Sequence, residues 1–329
     1  MAVPLSILDL AHIGPDETAK DSFDASVTLA QRAEKWGYRR IWYAEHHNMK
    51  SIASSATSVL IGHVAAHTDT IRLGAGGIML PNHAPLTIAE QFGTLESLHP
   101  GRIDLGLGRA PGSDQKTMQA LRRDPSSADS FPQDVLELQG YLGETSRIPG
   151  IAAVPGTGTN VPLYILGSSL FGAKLAAMLG LPYAFASHFA PNALHDAVSI
   201  YRREFTPSAQ LAEPYVIAGV NVIAAETTEQ AQEEFLQSKR ARVSLLLGRG
   251  RTFTDDEADM LLDSPAGQQV LQMAKYSAIG TPTEVRAYLD EFTEFAQADE
   301  LITVSTGTNR EAWLRTFELV AGVSDLVPA

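Results

Sequence analysis

Glu45-His46-His47 is the first combination in this chain that could move a proton. A histidine titrates near neutral pH, and one aimed at a bound ligand can take or return a proton during a reaction. Neighbouring side chains leave an extended run on opposite faces, so His46 and His47 cannot both face one pocket, and at least one is a hydrogen-bonded buried histidine. A second combination suits phosphate. Gly167-Ser168-Ser169 precedes an apolar helical stretch, where free backbone N–H groups and serine hydroxyls attract anions. Arg109 can add a guanidinium fork to that site, although Ser168 or Ser169 could equally be a plain N-cap. The third combination is Gly74, Gly76 and Gly77 within an apolar, β-favouring run at 71–80. Several glycines inside a strand suggest a bulge or a flat face that another body approaches closely; a bulge that serves packing alone is the alternative.

Other chemistries are poorly supported. The chain has no cysteine, which excludes disulfides, thiolate metal sites and a thiol nucleophile. His63 and His67 share a helical face, but the intervening Val-Ala-Ala lacks the glutamate of the helical zinc motif, and the first strand offers no paired histidines, so no metal is expected. No G-x-S-x-G elbow and no Walker A sequence occurs, and the glycines at 106, 108 and 112 miss the dinucleotide fingerprint by one residue. A formal net charge of −13 argues against nucleic acid or an anionic membrane as partner. No apolar run approaches the ~20 residues of a membrane span, and no basic leader with a cleavable apolar segment opens the chain. A soluble, cytoplasmic protein is expected.

The elements that must position these residues alternate. Strand patterns at 4–10, 40–44, 71–80, 103–107, 163–166, 183–186, 215–225 and 300–304 are separated by helical patterns, with the last helix at 310–320. Eight such units in 329 residues match a (β/α)8 barrel with insertions. A doubly wound open sheet is the alternative, but the polar residues stand after strands all along the chain, and barrels assemble their sites at that face. No composition shift marks a boundary, so residues 1–329 read as a single domain, with 248–276 an insertion before the eighth strand, over the barrel mouth and with its own short helix.

Ala44-Glu45-His46-His47, the run from Gly74 to Pro81, the run from Gly101 to Arg109, Ile165 to Ser169 and Ile279 to Glu284 together resemble the bacterial luciferase-like flavin monooxygenases, in order and over nearly the whole chain. The resemblance implies a (β/α)8 barrel that takes reduced FMN from a separate, transiently bound reductase and uses O2 to oxygenate an organic substrate. It implies a catalytic role for His46, a cis peptide beneath the flavin ring at Gly76-Gly77, and phosphate binding by Arg109, Ser168 and Ser169. Gly108 stands where the luciferases carry a reactive cysteine, and Asn48 where they carry an aromatic residue. The closer likeness is therefore to the single-chain branch, which includes oxygenases that tailor aromatic polyketides in antibiotic biosynthesis. Hydroxylation, epoxidation and Baeyer–Villiger insertion all remain open, and a homodimer is expected. An F420-dependent oxidoreductase and a flavin binder without turnover are the alternative readings.

Overall fold

The computed structural model describes residues 3–110, 114–248, 251, 253–307, 309–324 and 326. Residues 111–113 of the loop read after the fourth strand, and 249, 250 and 252 of the excursion, lie outside them. The apolar runs form β1 (Leu5–Asp9), β2 (Arg40–Tyr43), β3 (Arg72–Met79), β4 (Ile103–Gly108), β5 (Leu163–Gly167), β6 (Tyr183–Phe185), β7 (Val216–Ala224), β8 (Ser277–Gly280) and β9 (Glu300–Val304). All pairings between them are parallel. Strands β1 to β7 follow one another around a ring that β9 closes between β7 and β1. This is the (β/α)8 barrel, a fold in which side chains fill the interior and loops at the strand C-termini build sites.

Helices α1 (Ala19–Trp36), α2 (Thr57–Ala65), α3 (Pro85–Leu98), α4 (Gln115–Ala120), α5 (Phe131–Leu142), α6 (Leu170–Leu179) and α7 (Leu194–Glu204) accompany the first six strands. The second half adds α8 (Thr228–Leu247), α9 (Asp255–Leu262), α10 (Pro265–Met273), α11 (Pro282–Ala296) and α12 (Arg310–Val323). Their boundaries have local causes. Thr18 caps α1 in a capping box with Asp21, and Gly37 ends it in a left-handed conformation at φ 87°. Thr281 and Glu284, within a stretch that carried part of the family resemblance, are the capping box of α11. Among the described residues no helix is long and apolar enough to cross a membrane.

The excursion differs from its expected form. It holds two helices, α9 and α10, where one short helix was read. It is followed by an unforeseen strand, β8, which pairs with Asn221–Ala224 of β7 outside the closed ring. A four-residue strand flanked by helix is too short for alternation to reveal it.

The core has two shells. Ile7, Ile41, Leu73, Leu105, Ile165 and Val220 lie between the barrel and its helices. Leu8, Trp42, Ala44, Tyr164, Ile217 and Ile302 fill the inside. At the end of the barrel where strands begin, Arg40 replaces apolar filling. Its guanidinium donates to Asp104 Oδ2 at 2.7 Å, to the Tyr164 hydroxyl at 2.7 Å and to Glu300 Oε2 at 3.2 Å. Arg72 holds the other oxygen of Asp104, and Ser6 and Tyr215 donate to Glu300. Buried charges persist only when paired and hydrogen-bonded, and this network satisfies that condition.

Candidate active site

The alternation of β2 continues past its last residue and sorts the histidines. Trp42 and Ala44 face the interior cluster, while Glu45 is buried and turns toward the loop after β3. Glu45 Oε1 lies 2.7 Å from His47 Nε2 and 2.9 Å from His83 Nε2, and Oε2 accepts the Met79 N–H at 2.9 Å. Burial opposes a charge there, but the hydrogen bonds from His47, His83 and Met79 prevail and hold the Glu45 carboxyl down to about 2. The same bond to Glu45, against partial burial, raises the pKa of His47. The carboxylate therefore ties the end of β2 to the end of β3 and the loop beyond it.

His83 was not singled out by sequence reasoning, because nothing at its place in the chain relates it to Glu45. The potential ligand atoms of Glu45, His47 and His83 all lie within 4.8 Å of one another, the one grouping of that type among the described residues. Such a set has the donors of a divalent-cation site, which the motif-based expectation of no metal did not foresee. Here hydrogen bonds join the three.

His46 has a different setting. It is half-buried, and among the described residues it makes no hydrogen bond. Burial lowers its pKa, and the neighbouring His12 lowers it further, so the imidazole is neutral at pH 7. His12 follows β1 and is joined to Ile52 by an isolated bridge; it is itself kept neutral by burial. A neutral, unbonded imidazole at the strand C-termini can accept a proton from a ligand or return one.

The glycine run lies on β3, the strand paired with β2. The peptide between Gly76 and Gly77 is cis, as the resemblance implied. The register between β3 and β4 shifts between Ala75 and Ile78, so the expected bulge is present. A Cβ on Gly76 would stand 2.7 Å from Leu8 Cδ1 and 2.8 Å from Trp42 Cβ, and one on Gly77 would stand 2.8 Å from the Gly106 carbonyl oxygen. Close packing inside the barrel thus demands glycine at both positions before any ligand is considered. The packing reading, left open above, has physical content of its own.

Ser168 and Ser169 are exposed at the start of α6. Ser169 occupies the N-cap position in extended conformation, but its side chain makes no cap hydrogen bond. The first-turn N–H groups of α6 keep their capacity for an anion. Arg109, one residue past β4, lies over the Phe171 ring at 4.1 Å from its centroid, which brings the guanidinium to the same helix end. β4 and β5 are adjacent in the ring, and that adjacency joins residues some sixty positions apart.

A family model described as luciferase-like monooxygenase matches residues 3–298. The chain is 48% identical, over 98% of its length and 97% of the relative's, to a luciferase-like monooxygenase of Escherichia coli (strain K12). It is 38% identical, over 75% of each chain, to the N-acetyl-S-alkylcysteine monooxygenase of Bacillus subtilis (strain 168). Among solved structures, apo-MsnO8 is similar with a TM-score of 0.90 and 33% identity over 99% of this chain and 100% of that one. The fold also recurs at 16% and 15% identity, with TM-scores of 0.71 and 0.70 and at least 98% of each chain covered. These are the oxygenating constituent of 3,6-diketocamphane monooxygenase in complex with FMN and an F420-dependent secondary alcohol dehydrogenase with an F420–acetone adduct.

Proposed function

The chain belongs to the luciferase-like monooxygenase family, and from that premise we propose that it is a two-component, FMN-dependent monooxygenase. A separate reductase, in transient contact, supplies reduced FMN to a homodimeric oxygenase. The observation that carries this reading is the uncapped N-terminus of α6 with Arg109 beside it, a donor set suited to the FMN phosphate. When bound, reduced FMN supplies the electrons that activate O2 for transfer of one oxygen atom to substrate. The chain's own residues do the rest. Arg109, Ser168 and Ser169 hold the phosphate, and the surface at Gly76-Gly77 receives the ring. His46 accepts or returns a proton at a ring nitrogen, and the excursion at 248–276 limits access of water to the mouth.

For the substrate, the relative named for N-acetyl-S-alkylcysteines supports a sulfur-bearing acyl amino acid ahead of the aromatic polyketide that the sequence suggested. An F420-dependent oxidoreductase is the second reading, supported by the F420-bound fold neighbour, since a phosphate-bearing deazaflavin would use the same anion site. Anaerobic titration with FMNH2 and with F420H2, followed by admission of air and rapid spectra, separates the two. Preferential binding of FMNH2, with oxidation kinetics unlike those of free FMNH2, supports the monooxygenase. Binding of F420H2 alone, or flavin oxidation at the rate of the free compound, rejects it.

A further inference from the structure

Helix α8 carries two arginines with opposite circumstances. Arg240 is held by Asp255 and Asp259 at 2.6 and 2.5 Å. Arg242, half a turn on, has no carboxylate partner among the described residues, and its Nη1 is buried without any hydrogen bond. Among the described residues its hydrogen bond is Nη2 to Asn221 Oδ1, at 3.5 Å, and the buried His188 imidazole is near enough for the guanidinium, after burial, to help keep it neutral. Asn221 is fixed for that orientation, because its Nδ2 donates to the carbonyls of His188 at 2.8 Å and Tyr276 at 3.2 Å. An unpaired, largely desolvated guanidinium costs free energy, and a protein with 38 acidic residues places none of the described ones there.

The guanidinium lines a cavity rather than solid packing. Lys239, Ser238 and Thr306 line the same walls, the two hydroxyls bonded to each other at 2.5 Å, and Val270, Leu271 and Val304 supply an apolar side. The cavity lies at the C-terminal half of β7, which stands across the closed ring from β3 and its Gly76-Gly77 bulge. A small cleft with a cation at one side and hydrocarbon at the other, at the barrel face where reactions occur, stands where one end of a substrate could be held.

We infer that Arg242, oriented by Asn221 and assisted by Lys239, binds the carboxylate of an acidic organic substrate whose apolar part lies toward Val270, Leu271 and Val304. The inference rests on the monooxygenase reading and adds to it the residues that hold the carboxylate of the molecule oxygenated. A carboxylate can accept two parallel N–H bonds from the guanidinium fork, Nη1 among them, which no group among the described residues satisfies.

The test is calorimetric binding to the full chain, without flavin and with FMN, of N-acetyl-S-benzylcysteine and of its neutral carboxamide. The acid should bind wild-type protein at least tenfold more tightly than the amide, and Arg242→Met should bind both with the amide's affinity. Equal binding of acid and amide to wild type, no binding of the acid in either state, or a preference retained in Arg242→Met would overturn the inference. Absence of a preference in wild type overturns the inference even if the variant does not fold. Because it reads binding and not oxidation, it can fail while FMNH2 binds and reacts, or succeed while the flavin titration fails.

Discussion

His46 and His47 adjoin in the chain but titrate in opposite directions, because one faces burial and a second histidine while the other faces a carboxylate. If His46 handles protons, His46→Ala should leave the melting temperature and FMN affinity nearly unchanged and lower substrate oxygenation by ~10²–10⁴-fold, measured with chemically reduced FMN. Normal turnover in that variant would take the role from His46. His47 is not the silent control that alternation alone suggests. It satisfies one oxygen of buried Glu45, so His47→Ala should cost about 1.5–3 kcal/mol in urea unfolding at pH 6. The pH dependence has a definite sign. Glu45, ordinarily near 4.5, is depressed to about 2, so its stabilisation is present above 4.5 and lost as pH falls through 2. His47 is raised above its ordinary 6.5, so its share is complete below 6.5 and lost as pH rises through the folded value. The pair should contribute most between roughly pH 4.5 and 6.5. Urea unfolding of wild type against Glu45→Gln across pH 3–8 should show a difference that shrinks at both ends; a flat difference would disprove the coupling.

At the scale of elements, the β3–β4 seam and the start of α6 make separate demands. Read as a flat face that another body approaches closely, Gly76 and Gly77 would have valine disturb flavin docking more than folding. The contacts of a Cβ with Leu8, Trp42 and the Gly106 carbonyl shift that expectation to stability. Gly77→Val should destabilise by about 1–3 kcal/mol or more, as overpacking against backbone cannot relax cheaply. A variant as stable as wild type would show that the seam yields. Arg109→Ala at the neighbouring strand end touches no carboxylate among the described residues and should leave folding intact. It should weaken FMNH2 binding by ~1.5–3 kcal/mol and reduced riboflavin binding far less. Equal losses for the two ligands would remove Arg109 from the phosphate site.

Across the whole molecule, a charged cluster at one end of the barrel ties distant strands together. Arg40 on β2 reaches Asp104 on β4, Tyr164 on β5 and Glu300 on β9. Removing the guanidinium while leaving two buried carboxylates should be costly, about 3–5 kcal/mol for Arg40→Met, with Arg72 relieving Asp104 only in part. Chemical denaturation measures this directly. The effect should appear as lost stability without altered FMN affinity in the surviving folded fraction, since the cluster lies at the end opposite the strand C-termini.

Local pattern was enough to establish the alternation of strands and helices and the strand-to-helix turn at Gly167-Ser168-Ser169, because each depends on residues a few positions apart. The barrel followed from the count of units, and the family from runs spread along the chain. Strand β8 was illegible because its four residues pair only with a distant strand. The partnership of Glu45 with His83, the approach of Arg109 to Phe171, and the Arg40 cluster also escaped local reading. Each joins residues from different βα units, and the order of the strands around the ring sets their distance. Whether a charge is paired is likewise a tertiary fact. Arg240 and Arg242 read alike in the helix, but folding gives one two carboxylates and the other a cavity.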